Sequence, residues 1–299
     1  MKINIGVIIK MITTCQILNY NDSETTIDLI KKIRDYSVFD YIIVIDNFST
    51  DDSMRKLRDI ISDKILLIQT EKNGGYGYGN NFGIRYSYEN LKADYTLVIN
   101  PDVDFSEHTV IYLLDYLKKN NDVAIISCLP TLNLKELTYA RKKTTGFQDV
   151  LSASLIFNKL LKSRYYPKDY FNNKKFCEVY EIPGSFLLIN LKIMLDYGMY
   201  DEDIFLFEEE KILAYKFFQS GFKTILSLEH EYVHYGSISI KKTYKSEVRK
   251  KKLLLNSRLT YLEKYKKYNK FKLFLVKIFF GYTLFEMALY SFLKKIFSK

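Results

Sequence analysis

The sequence predicts an α/β fold built on a mostly parallel, doubly wound sheet with helices on both faces. Three observations carry this. Short apolar, β-rich runs alternate with helical patterns through the first hundred residues. The connections between them are short. The apolar runs stop at polar turns, as strands do when they end at a ligand crevice.

The elements follow in order. Residues 12–19 read as a first strand, and residues 23–35 as a helix with Ser23 as its N-cap and Ile27, Ile30 and Ile33 along one face. Residues 41–45 form a second strand that ends at Asp46. Residues 50–61 form a helix opened by Thr and Asp capping residues, and 64–69 a third strand. Residues 80–90 are a helix and 95–99 a fourth strand. A helix over 106–119 and a strand over 123–127 continue the alternation. Residues 135–180 are aromatic and basic without clean periodicity, the composition of a substrate-facing loop region. A strand over 186–189, a helix over 208–220 stopped by Gly221, and a strand over 223–228 close the body. The expected division is a domain over 1–240, with a nucleotide-binding half at 12–105 and an acceptor half at 106–240, followed by a basic tail over 241–299.

Composition narrows the function. An apolar share of 47% in 299 residues supplies a sizeable core. Cys15, Cys128 and Cys177 lie far apart and form no C-x-x-C pair, which fits a reducing compartment and disfavours a disulfide framework or a structural zinc. The short apolar run 3–9 is interrupted by Lys10 and lacks a small-residue cleavage site, so no signal peptide is expected, and Met11 is an alternative start. Residues 241–299 hold 17 Lys/Arg against 3 Asp/Glu, a surplus of 14 where the whole chain has +10, which leaves residues 1–240 at −4. Basicity confined to the tail disfavours a nucleic-acid partner, which would draw positive charge over the body's binding face.

That tail reads as two helices, 246–269 and 271–297. Lys277 and Glu286 interrupt the second, which argues against a membrane span. At 100° per residue, Lys272, Lys277, Thr283, Glu286 and Ser291 cover about half its circumference. The expectation is a helix lying in an anionic membrane interface. The alternative is a helix packed on the core or on a second subunit of a homodimer.

The chemistry-bearing segments fall at strand ends. They are Asn19 to Asn21, Asp46 to Asp51, Lys72 to Asn81 (KNGGYGYGNN), Asn100 to Asp102, Phe207 to Glu210 (FEEE) and His234 to Ser237. Asp46 follows a buried-type strand, so its carboxylate is expected to enter the crevice and accept an N–H from a pyrimidine base. The glycines of 74–79 let backbone approach a ligand, but Phe82 breaks the dinucleotide fingerprint. Asp102 sits on a turn where a carboxylate can reach a divalent cation that carries a diphosphate. Glu208, Glu209 and Glu210 open a helix, where acidic residues also simply complement the dipole.

In this order and spacing, the six segments resemble the inverting family 2 glycosyltransferases, and within them the bacterial rhamnosyltransferase-type enzymes of polysaccharide assembly. The resemblance covers about residues 12–240. It implies the GT-A fold and transfer of a sugar, rhamnose from its dTDP donor as the first guess, to a lipid-linked glycan at the cytoplasmic face of the inner membrane. It implies donor contacts from Asn19, Tyr20, Asp46, Asn73, Gly75, Asn80, Asn100, Asp102, Gly184 and Ser185. It also implies Mg²⁺ or Mn²⁺ held by Asp102 and His234, and a base at Glu209, with Glu208 the alternative. The chain departs from the family pattern twice. Asn100 stands at the first position of the D-x-D motif, which leaves open whether Asp104 compensates, and Glu209 stands where an Asp is usual. The rival readings are a nucleotide-sugar binder without transfer chemistry and a peripheral membrane protein.

Overall fold

A computed structural model describes residues 10–131, 140–161, 163–236 and 246–297. The apolar run 3–9, residues 135–139 of the irregular stretch and Ser237 lie outside the described residues.

The strands are β1 (Thr13–Asn19), β2 (Tyr41–Asp46), β3 (Ile65–Gln69), β4 (Tyr95–Ile99), β5 (Val103–Asp104), β6 (Val123–Pro130), β7 (Phe176–Val179), β8 (Phe186–Asn190) and β9 (Lys223–His234). Their order is β3-β2-β1-β4-β8-β6-β9, with β5 and β7 also pairing with β9. The first four are mutually parallel, β8 is antiparallel between β4 and β6, and β6 runs parallel to β9. The sheet is therefore mostly parallel but mixed. Strands β2 and β3 are added on one side of β1 and β4 on the other, and at such a switch point in strand order the strand ends open a crevice.

Helices cover both faces. α1 (Ser23–Ile33), α2 (Ser53–Arg58) and α4 (Glu107–Lys119) bury Ile30, Leu57 and Leu113 against Cys15, Ile17, Leu97 and Ile99. α3 (Tyr76–Glu89), α6 (Leu191–Tyr197) and α7 (Glu209–Gln219) bury Ile84, Met194 and Phe217 against Val98, Leu187 and Ile189. Leu97 and Ile99 face one side and Val98 the other, the two-residue period of a strand buried on both faces.

Local chemistry shifts several expected boundaries. Asp22, not Ser23, holds the N-cap position of α1, and its carboxylate accepts the Thr25 hydroxyl. α2 is half its expected length. α3 begins at Tyr76 instead of Asn80, so most of the glycine-rich segment is helix. There Gly77 and Gly79 admit the side chains of Tyr200 and Leu18, where a β-carbon would collide. These two glycines serve packing within the chain. β9 continues past residue 228 to His234.

The tail forms α8 (Glu247–Lys264) and α9 (Lys270–Phe297). Lys270–Lys294 is long and apolar enough to cross a membrane by length and composition alone, with Lys277 and Glu286 inside it. The polar half expected of this helix is corrected. Leu273, Val276 and Phe280 pack on Leu255 and Leu262 of α8 and on Val150 of α5 (Gly146–Leu151). Thr283 is buried beside them, and Glu286 accepts the backbone N–H groups of Leu155 and Ile156. Two of the five polar positions thus turn toward the protein. The outward face is apolar, with Phe271, Phe274, Ile278, Phe285 and Phe292 each more than half exposed. Periodicity reports that a helix has two faces, not which one the protein takes.

Candidate active site

One cavity of about 690 Å³ opens along the carboxyl ends of β1, β2 and β4 and extends to α7 and α8. Ten of the thirteen expected site residues line it: Tyr20, Asn73, Gly75, Asn100, Asp102, Gly184, Ser185, Glu208, Glu209 and His234. Asn19, Asp46 and Asn80 do not.

Strand register explains why Asp46 is a floor residue. Parallel pairing sets Asn19 beside Asp46 and Asp46 beside Gln69. Asn19 Nδ2 donates to Asp46 Oδ1 at 2.9 Å, and Gln69 Nε2 donates to Oδ2 at 3.1 Å. The Ser49 backbone N–H and hydroxyl complete the set. Both oxygens are so engaged and the residue is fully buried, where the sequence leads us to expect a contact to a base N–H. Asp46 instead fixes the loop whose next residue, Asn47, does line the cavity. Asn19 also accepts the Thr26 hydroxyl, and Asn80 is held by Gln16 and by the Tyr76 carbonyl. Both are internal struts.

The donor-side wall is a layered contact of loops. Asn73 Oδ1 accepts from Asn47 Nδ2 and from the Gly75 N–H, both at 3.1 Å. Gly75 has φ +95°, and a β-carbon there would lie 2.2 Å from the Phe205 carbonyl oxygen, so only glycine fits. Tyr76 donates its hydroxyl to the Gly184 carbonyl at 2.9 Å, and the Gly184 N–H donates to Glu210 Oε1 at 3.0 Å. Ser185 pairs with the Tyr232 hydroxyl at 2.7 Å, and its carbonyl accepts the Asn100 N–H. The Pro183–Ser185 segment therefore ties the end of β4 to the start of α7.

Asp102 and His234 meet across the β5–β9 pairing, where Val103 is in register with His234. Asp102 Oδ1 lies 3.4 Å from His234 Nε2, outside hydrogen-bond geometry, and that nitrogen is buried without a hydrogen-bond partner. A carboxylate and an imidazole nitrogen so placed suit a divalent cation, Mn²⁺ better than Mg²⁺ because of the nitrogen. Among the described residues no group of three or more His, Cys, Asp or Glu could hold a metal alone. A cation here would need further ligands, which a diphosphate supplies. Asp104 does not compensate for Asn100, because its carboxylate pairs with Lys32 at 2.7 Å and does not line the cavity.

The three glutamates divide by environment. Glu208 Oε1 accepts from Arg258 Nε and Nη2, and its Oε2 lies 2.9 Å from Lys211 Nζ. Burial would raise its pKa, but the two cations outweigh it and hold the carboxyl at about 2. Glu209 is 4% exposed and its Oε1 has no hydrogen-bond partner. Burial, then the neighbouring Glu210, push its pKa well above the ordinary carboxylate value. Burial likewise raises Glu210, though less, with Arg141 opposing. Of the pair left open by sequence, Glu209 is the carboxyl whose pKa burial raises, and Glu208 the one that two cations hold low.

Several wall residues gave no usable sequence signal. Tyr76 lies within the glycine-rich segment, Glu210 in an acidic run, and Arg141, Arg164 and Arg258 in stretches without periodicity or in a charged helix.

The fold and site are those of an α/β protein with a switch-point crevice that holds a carboxylate–imidazole pair and a buried carboxyl. The chain belongs to glycosyl transferase family 2, whose family model matches residues 15–194. It is 34% identical over 112 residues, 37% of its own length, to the low-salt glycan biosynthesis hexosyltransferase Agl10 of Haloferax volcanii. The match spans about a third of that relative. The fold is similar to GalNAc-T7 solved with UDP, GalNAc and Mn²⁺, with TM-score 0.59, 14% identity and coverage of 75% of this chain and 44% of that one. It is also similar to the mannosyltransferase PcManGT from Pyrobaculum calidifontis in complex with GDP-Man and Mn²⁺, with TM-score 0.55, 13% identity and coverage of 95% and 75%. These likenesses bear out the expected GT-A fold.

Proposed function

We propose that this protein transfers a sugar from a nucleoside diphosphate donor to a hydroxyl of a glycan acceptor, with inversion at the anomeric carbon. The observation that carries the reading is the shared cavity: Glu209, a buried carboxyl with one oxygen lacking a hydrogen-bond partner, stands in the same crevice as the Asp102–His234 pair. The nucleotide would lie along Tyr20, Asn47 and Asn73, with its diphosphate toward Asp102 and the sugar near Gly184 and Ser185. A divalent cation held by Asp102 and His234 would neutralise the diphosphate leaving group. Glu209 takes the proton from the acceptor hydroxyl as its oxygen attacks. The solved structural relatives hold UDP or GDP-Man with Mn²⁺, which supports a nucleotide donor and Mn²⁺ here. The Agl10 relative, a hexosyltransferase of glycan biosynthesis, supports a hexose and a glycan. Rhamnose from dTDP-rhamnose is the first donor to try, on resemblance alone.

We assign the acceptor to a lipid-linked glycan at the cytoplasmic face of a bacterial inner membrane. The support is the outward apolar face of α9, flanked by basic residues and continued by exposed Ile156 and Leu160 beside the helix. Its inner face is occupied by protein, which favours a helix lying in the interface over one surrounded by lipid. The test is a binding and turnover screen over UDP-, GDP- and dTDP-sugars with Mn²⁺. Binding without turnover by any donor, with every acceptor and with water, would favour the rival reading of a nucleotide-sugar binder.

A further inference from the structure

Phe207 and Glu208 both adopt left-handed backbone, with φ +73° and +70°. Neither is glycine, so each is strained, and two in succession need their surroundings to hold them. The restraint comes from α8. Arg258 grips the Glu208 carboxylate through Nε at 2.9 Å and Nη2 at 2.5 Å. Its Nη1 donates to the Asp149 carbonyl at 2.8 Å and to Ser152 Oγ at 3.1 Å. Lys211 bridges Glu208 and Asp149, at 2.9 Å to each. One residue before Arg258, Ser257 Oγ donates to the Leu206 carbonyl at 2.7 Å. The tail helix thus holds the chain on both sides of Phe207, and α7 starts at the very next residue after Glu208, with Glu209.

We propose that Arg258 is a positioning residue for the transfer reaction: through Glu208 it fixes the left-handed turn that aims Glu209 into the cavity, and it neutralises the charge beside Glu209. Four of its five guanidinium N–H groups donate within the protein, two of them to Glu208, so Arg258 is assigned to act through Glu208. The inference rests on Glu209 as base. It also makes α8 a part of the active-site wall.

The charge arithmetic gives a readout that a purely structural role would not move. The groups acting on Glu209 are Glu208 and Glu210 of its own segment, with Tyr76 of α3 and Tyr200 of the preceding loop as neutral phenols. The Arg141–Glu181 pair acts on Glu210 from the far wall. Glu208 raises the Glu209 pKa, and Arg258 offsets that charge. Arg258→Gln leaves Glu208 ionised against Lys211 alone, so the Glu209 proton is held more tightly. Glu208→Gln removes an anion and leaves two cations, so it is held less tightly.

The experiment is kcat against pH for a donor that the wild type turns over, by hydrolysis or transfer, beside donor binding with Mn²⁺. Arg258→Gln should lower kcat at least tenfold, keep the donor Kd within about twofold, and move the ascending limb to higher pH. Glu208→Gln should move that limb to lower pH. Arg258→Lys keeps the charge and serves if the Gln variant does not fold: its kcat should fall with the limb unmoved. Wild-type kcat in Arg258→Gln or Arg258→Lys, limbs that stay in place in both neutral variants, or a loss confined to donor binding would overturn the proposal and leave the function standing. A wild type that turns over no donor would sink the functional reading, and this role with it.

Discussion

Asp102 Oδ1 and His234 Nε2 stand 3.4 Å apart although 132 positions separate them in the chain. The two-residue strand β5 causes this, because it pairs antiparallel with the end of β9 immediately after Asp102. Both residues line the cavity that Glu209 also lines.

Asp102→Asn is expected to weaken Mn²⁺-dependent donor binding by about tenfold to a hundredfold, the scale of a lost charge-assisted contact, about 1.5–3 kcal/mol. His234→Ala should do the same in Mn²⁺ and less in Mg²⁺. Calorimetric titration of the nucleotide with each metal measures both. Unchanged Mn²⁺-dependent binding in Asp102→Asn would remove the metal assignment.

Glu209→Gln should cut turnover by about 10²–10⁴-fold, the range for a general base, with donor affinity preserved. Glu210→Gln should perturb the Gly184 contact and lose less. Reversal of that order in a single-turnover assay would move the base to Glu210.

The pH dependence of kcat follows from burial. A base acts when deprotonated, and Glu209 is raised well above 4.5 by burial and by Glu210. Activity should therefore rise with pH through a limb above the usual carboxylate range. A rate already on its plateau at pH 5 would contradict this.

Acid stability follows from Glu208. Its carboxyl is held at about 2 against an ordinary 4.5, so its contribution is full above pH 4.5 and is lost as pH falls toward 2. The scale is about 3 kcal/mol. Glu209 and Glu210 are shifted the other way, so the quantity to measure is a difference. In urea unfolding, the stability gap between wild type and Glu208→Gln should narrow from pH 5 to pH 3. A constant gap would refute it.

Membrane docking predicts that the wild type floats with anionic vesicles and that Ile278→Asp with Phe285→Asp abolishes flotation without lowering Tm. Both side chains are about 60% exposed on the outward face of α9. Flotation by the double variant, or none by the wild type, would move the acceptor away from lipid. Deleting 241–299 is the poorer test, since it also removes Arg258 and Ser257 from the Glu208 turn.

Local sequence determined the strands, the major helices and the segments at strand ends, because apolar period and turn chemistry are properties of neighbouring residues. Asn100 to Asp102 and the acidic run 208–210 were legible for that reason. Tertiary structure decided what each carboxylate does. Asp46 is expected at the crevice from its strand end, and parallel register sets Asn19 and Gln69 on either side of its carboxylate. Glu208 and Glu209 are alike in sequence, yet one is clamped by Arg258, fifty residues on, and the other is buried with one carboxyl oxygen unpartnered. Charge, burial and hydrogen bonding act through space, and chain neighbours do not encode which distant cation arrives.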